Sequence, residues 1–278
     1  TVGDAARAYL AAVGVQPQRA CVAAAGPLID GEVRFTNSDW VLRKSEMVDA
    51  LGLTDLSIVN DFYALAAGVG HLGPADLRTV KDGLPVAGAP QLVIGPGTGL
   101  GQALIVPTPA APTIVPTEGG HVAFAPRTDK EAEIVRFIAR EHPRVSVERL
   151  LSGAGLVAIH CALRERAGAP PVSMAASAVT QAAIDGTDAI AAEAAALFCE
   201  ILGRVAGDAV LATGARGGVF LGGGILPKIQ EIFLTSGFVE TFLDKGRMQA
   251  YVEATPVRLI VRDGAALYGA ASALDARS

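Results

Sequence analysis

The chain has 278 residues, 51% of them hydrophobic, with 28 acidic against 23 basic side chains and a net charge of −5. That length supports a substantial core and two lobes rather than one, and the acidic balance leaves no basic field for nucleic acid or anionic lipid. Mean hydropathy is positive, yet glycine, proline or charge interrupts every apolar run before the roughly 18 residues that a membrane span needs, so the excess reads as helical alanine.

In chain order, "TVGDAARAYLAAVG" predicts a helix ending at Gly14. "ACVAAAGPLIDGEVRFTN" predicts two strands around Asp30-Gly31, a pair suited to a tight hairpin. Ser45 is placed to cap a short helix through Leu51, "LSIVND" reads as a buried strand with a polar end, and "FYALAAGVG" reads as helical. The stretch "VIGPGTGLGQALIV", residues 93 to 106, is a strand, a glycine turn and a second strand. Thr128 and Glu131 make a capping box ahead of "EIVRFIAREH". Helical patterns follow over about 146–151, 153–167 and 173–185 and from Asp188 towards Ala212. "GGVFLGGGI" is a strand running into glycines with helical "LPKIQEIFL" behind it, "VRLIV" is a late strand, and "DGAALYGAASAL" is a closing helix of small residues that suits tight packing. Strands and helices mixed in this order indicate an α/β protein.

Cys21, Cys161 and Cys199 are far apart and form no CxxC pair, which fits reduced thiols in a cytoplasmic setting and argues against a cysteine metal site. The opening "TVGDAARAYL" lacks the basic-then-apolar pattern of a secretory signal.

The glycines at 95, 97, 99 and 101 do not form a GxGxxG fingerprint, because a strand and not a helix follows, and no Lys-Ser/Thr completes a P-loop. A hairpin without Cβ atoms still lets its N–H groups approach phosphate oxygens, and Thr98 adds a hydroxyl at the tip. A plain tight hairpin fits the same residues. Gly222, Gly223 and Gly224 end a strand where α/β proteins open a ligand crevice, and close strand–helix packing is the competing explanation.

Among polar residues, Asn60-Asp61 ends a buried strand, where an ionised carboxylate can accept a proton from a substrate hydroxyl. Asp61 also fits the N-cap of a helix starting near Phe62. "EGGH", Glu118 to His121, offers a carboxylate and an imidazole. It lacks HExxH spacing and a third ligand for zinc, so hydrogen bonding to a polyhydroxylated ligand fits it better. Glu148 falls in the first turn of a short helix capped by Ser146, where the helix dipole favours a carboxylate in any case. "TNSDW" sets Thr36, Asn37 and Asp39 beside the only tryptophan, Trp40, as a sugar-facing loop or a simple turn. There is no GxSxG elbow, and the four histidines suggest no triad.

Taken together, "NDF" at 60–62, "GPGTGLG" at 95–101, "EGGHVAFAP" at 118–126, "VSVERLLSGAGL" at 145–156 and "GGVFLGGGI" at 217–225 resemble the bacterial glucokinase family, of the actin, sugar kinase and Hsp70 superfamily. The resemblance runs in order along essentially the whole chain. It implies a two-lobed actin-like (ribonuclease H-like) α/β fold with a central cleft. The small lobe would be 1–71 plus 262–278 and the large lobe 72–261. The implied reaction is transfer of the ATP γ-phosphate to the 6-hydroxyl of glucose, the first step of glycolysis. Asp61 falls on the catalytic base, and Asn60, Glu118, His121 and Glu148 fall on the sugar ligands, with Asn37 as a further contact. Gly97, Thr98 and Gly99 fall on the phosphate hairpin, and Gly222, Gly223 and Gly224 on the adenosine segment. Mg²⁺ accompanies the ATP, and a homodimer is the family's usual assembly. The related ROK kinases carry a cysteine-rich zinc motif after their GGH; here no cysteine lies between His121 and His142, which disfavours that branch. The family also begins with two or three strands bearing a DxGxT phosphate turn, whereas this chain starts at the helix after them, so the small lobe is expected to be truncated at its start. The alternatives are another hexose kinase of the superfamily, or a sugar-binding protein without catalysis.

Overall fold

The computed structural model describes residues 1–26, 28–34 and 40–275. Thr36, Asn37 and Asp39 of the "TNSDW" loop lie outside them. The chain begins with α1 (Val2–Val13), β1 (Arg19–Ala24), β2 (Leu28–Ile29), β3 (Glu32–Arg34), β4 (Val41–Arg43), α2 (Lys44–Leu51), β5 (Asp55–Asn60) and α3 (Asp61–Gly68). It continues through β6 (Leu77–Lys81), β7 (Gln91–Pro96), β8 (Leu100–Val106), β9 (Thr113–Thr117), α4 (Asp129–Ala139), α5 (Gly153–Arg166), α6 (Ala176–Ile184), α7 (Ala189–Thr213) and β10 (Gly218–Leu221). Last come α8 (Gln230–Thr235), α9 (Phe238–Leu243), α10 (Gln249–Glu253), β11 (Val257–Ile260) and α11 (Ala265–Asp275). Two units result: Thr1–Asp76 with Ile114–Pro116 and the segment from Arg262 onward, and Leu77–Thr113 with Thr117–Val261.

In the first unit, α1 starts at a Thr1–Asp4 capping box and stops where Gly14 takes a left-handed conformation, as its sequence predicts. The segment expected to form two strands forms three. Gly26, at φ 127°, turns the chain out of β1, and β1 pairs in parallel with β5, from Arg19 opposite Asp55 to Ala24 opposite Asn60. The Asp30-Gly31 hairpin, with φ 50° and 80°, therefore joins only β2 and β3. Ser45 does not cap α2. The helix begins two residues earlier, and the capping position is Arg43, whose guanidinium is committed to Glu32 and Glu46. A core of Ala24, Val33, Leu42, Met47, Leu53, Leu56 and Ile58 binds these elements. On α3, Gly68 lies so near α11 that a Cβ there would sit 2.3 Å from the Ala265 carbonyl oxygen. The small residues of α11 thus allow two helix backbones to touch.

The second unit holds β6, β11, β10, β7 and β8 of a six-stranded sheet in the order β6-β11-β10-β7-β8-β9. β10 pairs in parallel with both β7 and β11, while β7–β8 and β6–β11 are antiparallel. One continuous core joins the sheet's Leu92, Ile94 and Leu221 to Ile134, Ile159, Phe198 and Phe238 of the helices. The Thr128 hydroxyl caps α4 by accepting from Glu131 N–H at 3.2 Å. Glu131, however, reaches back to Arg127 N–H at 2.7 Å, and both its oxygens accept from Arg204 at 2.7 Å, so the expected box is half formed. A buried guanidinium outcompetes the capping position for that carboxylate, because an unpaired charge in the core is costly. After β10 the helix expected from Leu226 starts later. A single turn closes on the Ile225 carbonyl, and α8 starts only at Gln230. Among the described residues no helix is long and apolar enough to cross a membrane.

Candidate functional site

The first unit presents Asn60 and Asp61 where β5 gives way to α3. The cap of that helix is Asn60, not Asp61: its Oδ1 accepts from Phe62 N–H at 2.9 Å and Tyr63 N–H at 3.1 Å. The Asn60 amide nitrogen is left with no hydrogen bond among the described residues. Asp61 is the first helical residue, and its Oδ1 accepts from Phe62 N–H at 2.9 Å, which leaves Oδ2 unspent. Burial pushes the Asp61 carboxyl above its ordinary value, outweighing the Phe62 N–H that favours the charged form. The consequence is a stronger proton acceptor, fixed in orientation by its own helix.

The second unit carries both glycine stretches, and the sheet places them side by side. β7 and β8 pair as far as Pro96 opposite Leu100, so Gly97, Thr98 and Gly99 form the tip, closed by Gly97 N–H donating to the Gly99 carbonyl at 2.8 Å. Gly222 N–H donates to the Ile94 carbonyl at 3.0 Å. Packing explains part of the glycine content. A Cβ at Gly95 would lie 2.2 Å from the Gly222 carbonyl oxygen, and one at Gly223 would lie 2.3 Å from that of Pro96. Two others have no such explanation. A Cβ at Gly97 would meet nothing nearer than 3.9 Å, one at Gly224 would meet nothing within 4 Å, and neither residue has a positive φ. The bare space beside these two is therefore not demanded by the protein's own packing. The amides of Thr98, Gly99, Gly223 and Gly224 make no hydrogen bond among the described residues. Gly153, first residue of α5, donates to the Gly97 carbonyl at 2.9 Å, which sets the hairpin against a helix N-terminus whose dipole attracts anions.

Glu118, His121 and Glu148 converge in the same unit. Residues 122–124 and 145–147 pair like strands, with Phe124 N–H donating to the Val145 carbonyl and Val147 N–H to that of Val122. That pairing carries the following residue, Glu148, to His121. The His121 Nε2 is 3.6 Å from Glu118 Oε2, and its Nδ1 is 4.0 Å from Glu148 Oε1. Both separations exceed a hydrogen bond, so the facing groups keep capacity for hydroxyls. Glu148 does not sit in a capped helix as its sequence predicts. Val147–Arg149 is a 3-10 turn, Ser146 makes no capping bond, and Glu148 Oε2 instead accepts from Leu100 N–H at 2.8 Å.

Three supporting residues escape a reading of the sequence. Arg144 donates to the His121 carbonyl at 2.8 Å. Gln102 packs against Gly119, where a Cβ would lie 2.1 Å from its Oε1. Ser152 caps α5 by accepting from Gly155 N–H at 3.1 Å. Only Ser152 leaves a local signal, a hydroxyl ahead of an apolar run; the other two act across long sequence separations. Among the described residues no group of three acidic, imidazole or thiol side chains is set to hold a metal.

The family model described as "Glucokinase" matches residues 1–277. A glucokinase of Marinobacter nauticus is 43% identical over 267 residues, covering 96% of this chain and 83% of that relative. The crystal structure of a glucokinase from an Antarctic psychrotroph superposes with a TM-score of 0.84 at 37% identity, over 99% of this chain and 85% of that one. A glucokinase from Balamuthia mandrillaris, solved in complex with glucose, shares the fold with a TM-score of 0.81 at 24% identity, over 97% of this chain and 80% of that one. A mixed α/β architecture with a central sheet, a near-complete family match and relatives above 40% identity lead to one conclusion: this chain belongs to the glucokinase family, ATP-dependent kinases that phosphorylate glucose.

Proposed function

We propose that the chain transfers the γ-phosphate of ATP to the 6-hydroxyl of glucose, with Asp61 as general base. The observation that carries this reading is the unspent hydrogen-bonding capacity of the family's positions. Bare amides and empty space adjoin Gly97 and Gly224, two carboxylates flank His121, and a desolvated carboxylate stands at Asp61. Phosphoryl transfer passes through a loose transition state, so positioning and charge neutralisation supply most of the acceleration. Gly97, Thr98 and Gly99 offer N–H groups and the Thr98 hydroxyl to phosphate oxygens, and the open flank at Gly222, Gly223 and Gly224 accommodates the nucleoside. Asn60, Glu118, His121 and Glu148 bond the sugar hydroxyls. Asp61 Oδ2 accepts the proton of O6 as the bond to phosphorus forms. Mg²⁺ bound with the ATP would supply charge neutralisation on the phosphates. The test is a coupled assay of glucose 6-phosphate formation over a panel of hexoses with MgATP. Turnover with glucose that disappears in Asp61→Asn supports the reading, and turnover unchanged in that variant removes Asp61 from the role.

A further inference from the structure

Gly97 and Gly99 occupy one three-residue tip, yet different neighbours face them. A Cβ at Gly97 would enter open space, whereas one at Gly99 would lie 2.4 Å from Glu148 Oε2 and 3.2 Å from its Cδ. Gly99 has no positive φ, so the carboxylate and not the backbone excludes a side chain there. The same Oε2 accepts from Leu100 N–H, 48 residues away in sequence, at 2.8 Å. The other oxygen, Oε1, faces His121 Nδ1 at 4.0 Å. Leu100 is held from its other side as well, since a Cβ at Gly120 would lie 2.5 Å from its carbonyl oxygen. Leu100 thus lies between Glu148, which takes its N–H, and the turn that carries Glu118 and His121, whose Gly120 approaches its carbonyl.

We propose that Glu148 is a two-sided positioning residue: Oε2, through Leu100 N–H, sets the shape of the Gly97–Gly99 hairpin, and that same bond fixes where the unbonded Oε1 stands beside His121 on the sugar side. One side chain then makes the order of the phosphate-side backbone and of the sugar-side residues a single property. The inference rests on the kinase reading above and adds a coupling to it: distortion on either side reaches the other through one carboxylate. A purely sugar-binding Glu148 would leave the nucleotide side indifferent to its loss, and a purely structural one would leave the sugar side indifferent to a change at Gly99.

The intact protein decides this by calorimetry with two probes, glucose without nucleotide and MgAMPPNP without sugar. Gly99→Ala weakens glucose binding by about tenfold, the loss expected when a polar partner is displaced, although the residue belongs to the phosphate hairpin. Gly97→Ala, which fills open space, weakens MgAMPPNP but leaves the glucose Kd within about twofold, as independent sites do. Glu148→Ala weakens MgAMPPNP measured without sugar, and in that background Gly99→Ala adds nothing further to the loss of glucose affinity. Should Gly99→Ala fail to fold, as circular dichroism would reveal, the Glu148→Ala effect on MgAMPPNP carries the decision. An unmodified protein that binds no glucose overturns the kinase reading and this inference with it. An unmodified protein that binds both probes, with Gly99→Ala matching Gly97→Ala or with Glu148→Ala affecting glucose alone, overturns the two-sided role and leaves the kinase reading standing.

Discussion

Asp61 of the first unit and Glu118 of the second are both carboxylates beside glycine-rich or helical turns, and they differ in what surrounds them. Asp61 is half buried at the head of α3, with one oxygen tied to Phe62 N–H and its proton affinity raised by burial. Glu118 has 82% of its side chain in water and stands 3.6 Å from His121, with no hydrogen bond to it. A third carboxylate, Glu131, is 1% exposed and fully engaged by Arg204. Their environments suit different offices: desolvation suits Asp61 to the proposed role of base, exposure with spare lone pairs suits Glu118 to the proposed role of ligand for hydroxyls, and burial with a guanidinium makes Glu131 a structural tie.

The sharpest way to break that comparison is Asp61→Asn. It is expected to lower kcat by about 10²–10⁴, the usual worth of a general base, with the glucose Kd nearly unchanged; a coupled assay beside calorimetry checks both halves. Arg204→Ala strikes the third office. It strands Glu131 in the core and is expected to cost about 3–5 kcal/mol of stability, read from urea unfolding, while the glucose KM at a permissive temperature stays as it was. Glu118→Gln tests the second office and is expected to raise the glucose KM roughly tenfold, the scale of one weakened polar partner, with a smaller change in kcat.

The smallest effects are those of pH. Because the Asp61 pKa lies above its ordinary 3.8 in the folded protein, kcat/KM falls on the acid side as pH drops through that raised value. The limb vanishes in Asp61→Asn. The stability sign runs the other way. A raised carboxyl favours the fold below the unfolded value and loses that contribution as pH rises through the folded one. Asp61→Asn is therefore expected to melt slightly higher than the unmodified protein at neutral pH, with the gain gone below about pH 3.8. Thermal melts at the two pH values check the sign, and a lower melting point at neutral pH would show that desolvation does not govern Asp61.

Much of the fold was legible because it is local. Gly14 ends α1, Asp30-Gly31 turns a hairpin and Asp188 caps α7 through bonds to Ile190 and Ala191 N–H, each decided by residues within a few positions. Local pattern fails where distant partners intervene. β1 left its neighbour for β5, Glu131 left its capping role for Arg204, and Glu148 took Leu100 N–H in place of a helix terminus. Asn60 displaced Asp61 as cap for a smaller reason, a helix start one residue earlier than the apolar pattern indicated.

By itself the sequence determined the alternation of strands and helices, the glycine turns, and the ordered motifs that carry the family resemblance, since these depend on backbone preferences and spacing along a short length of chain. Only the tertiary structure decided what each glycine is for. Gly95 and Gly223 yield to a neighbouring backbone, Gly99 yields to a carboxylate, and Gly97 and Gly224 yield to nothing in the protein. That division arises when segments from about fifty to more than a hundred residues apart are brought within van der Waals reach, where a single Cβ decides whether main chain can meet main chain and whether space is left for a ligand.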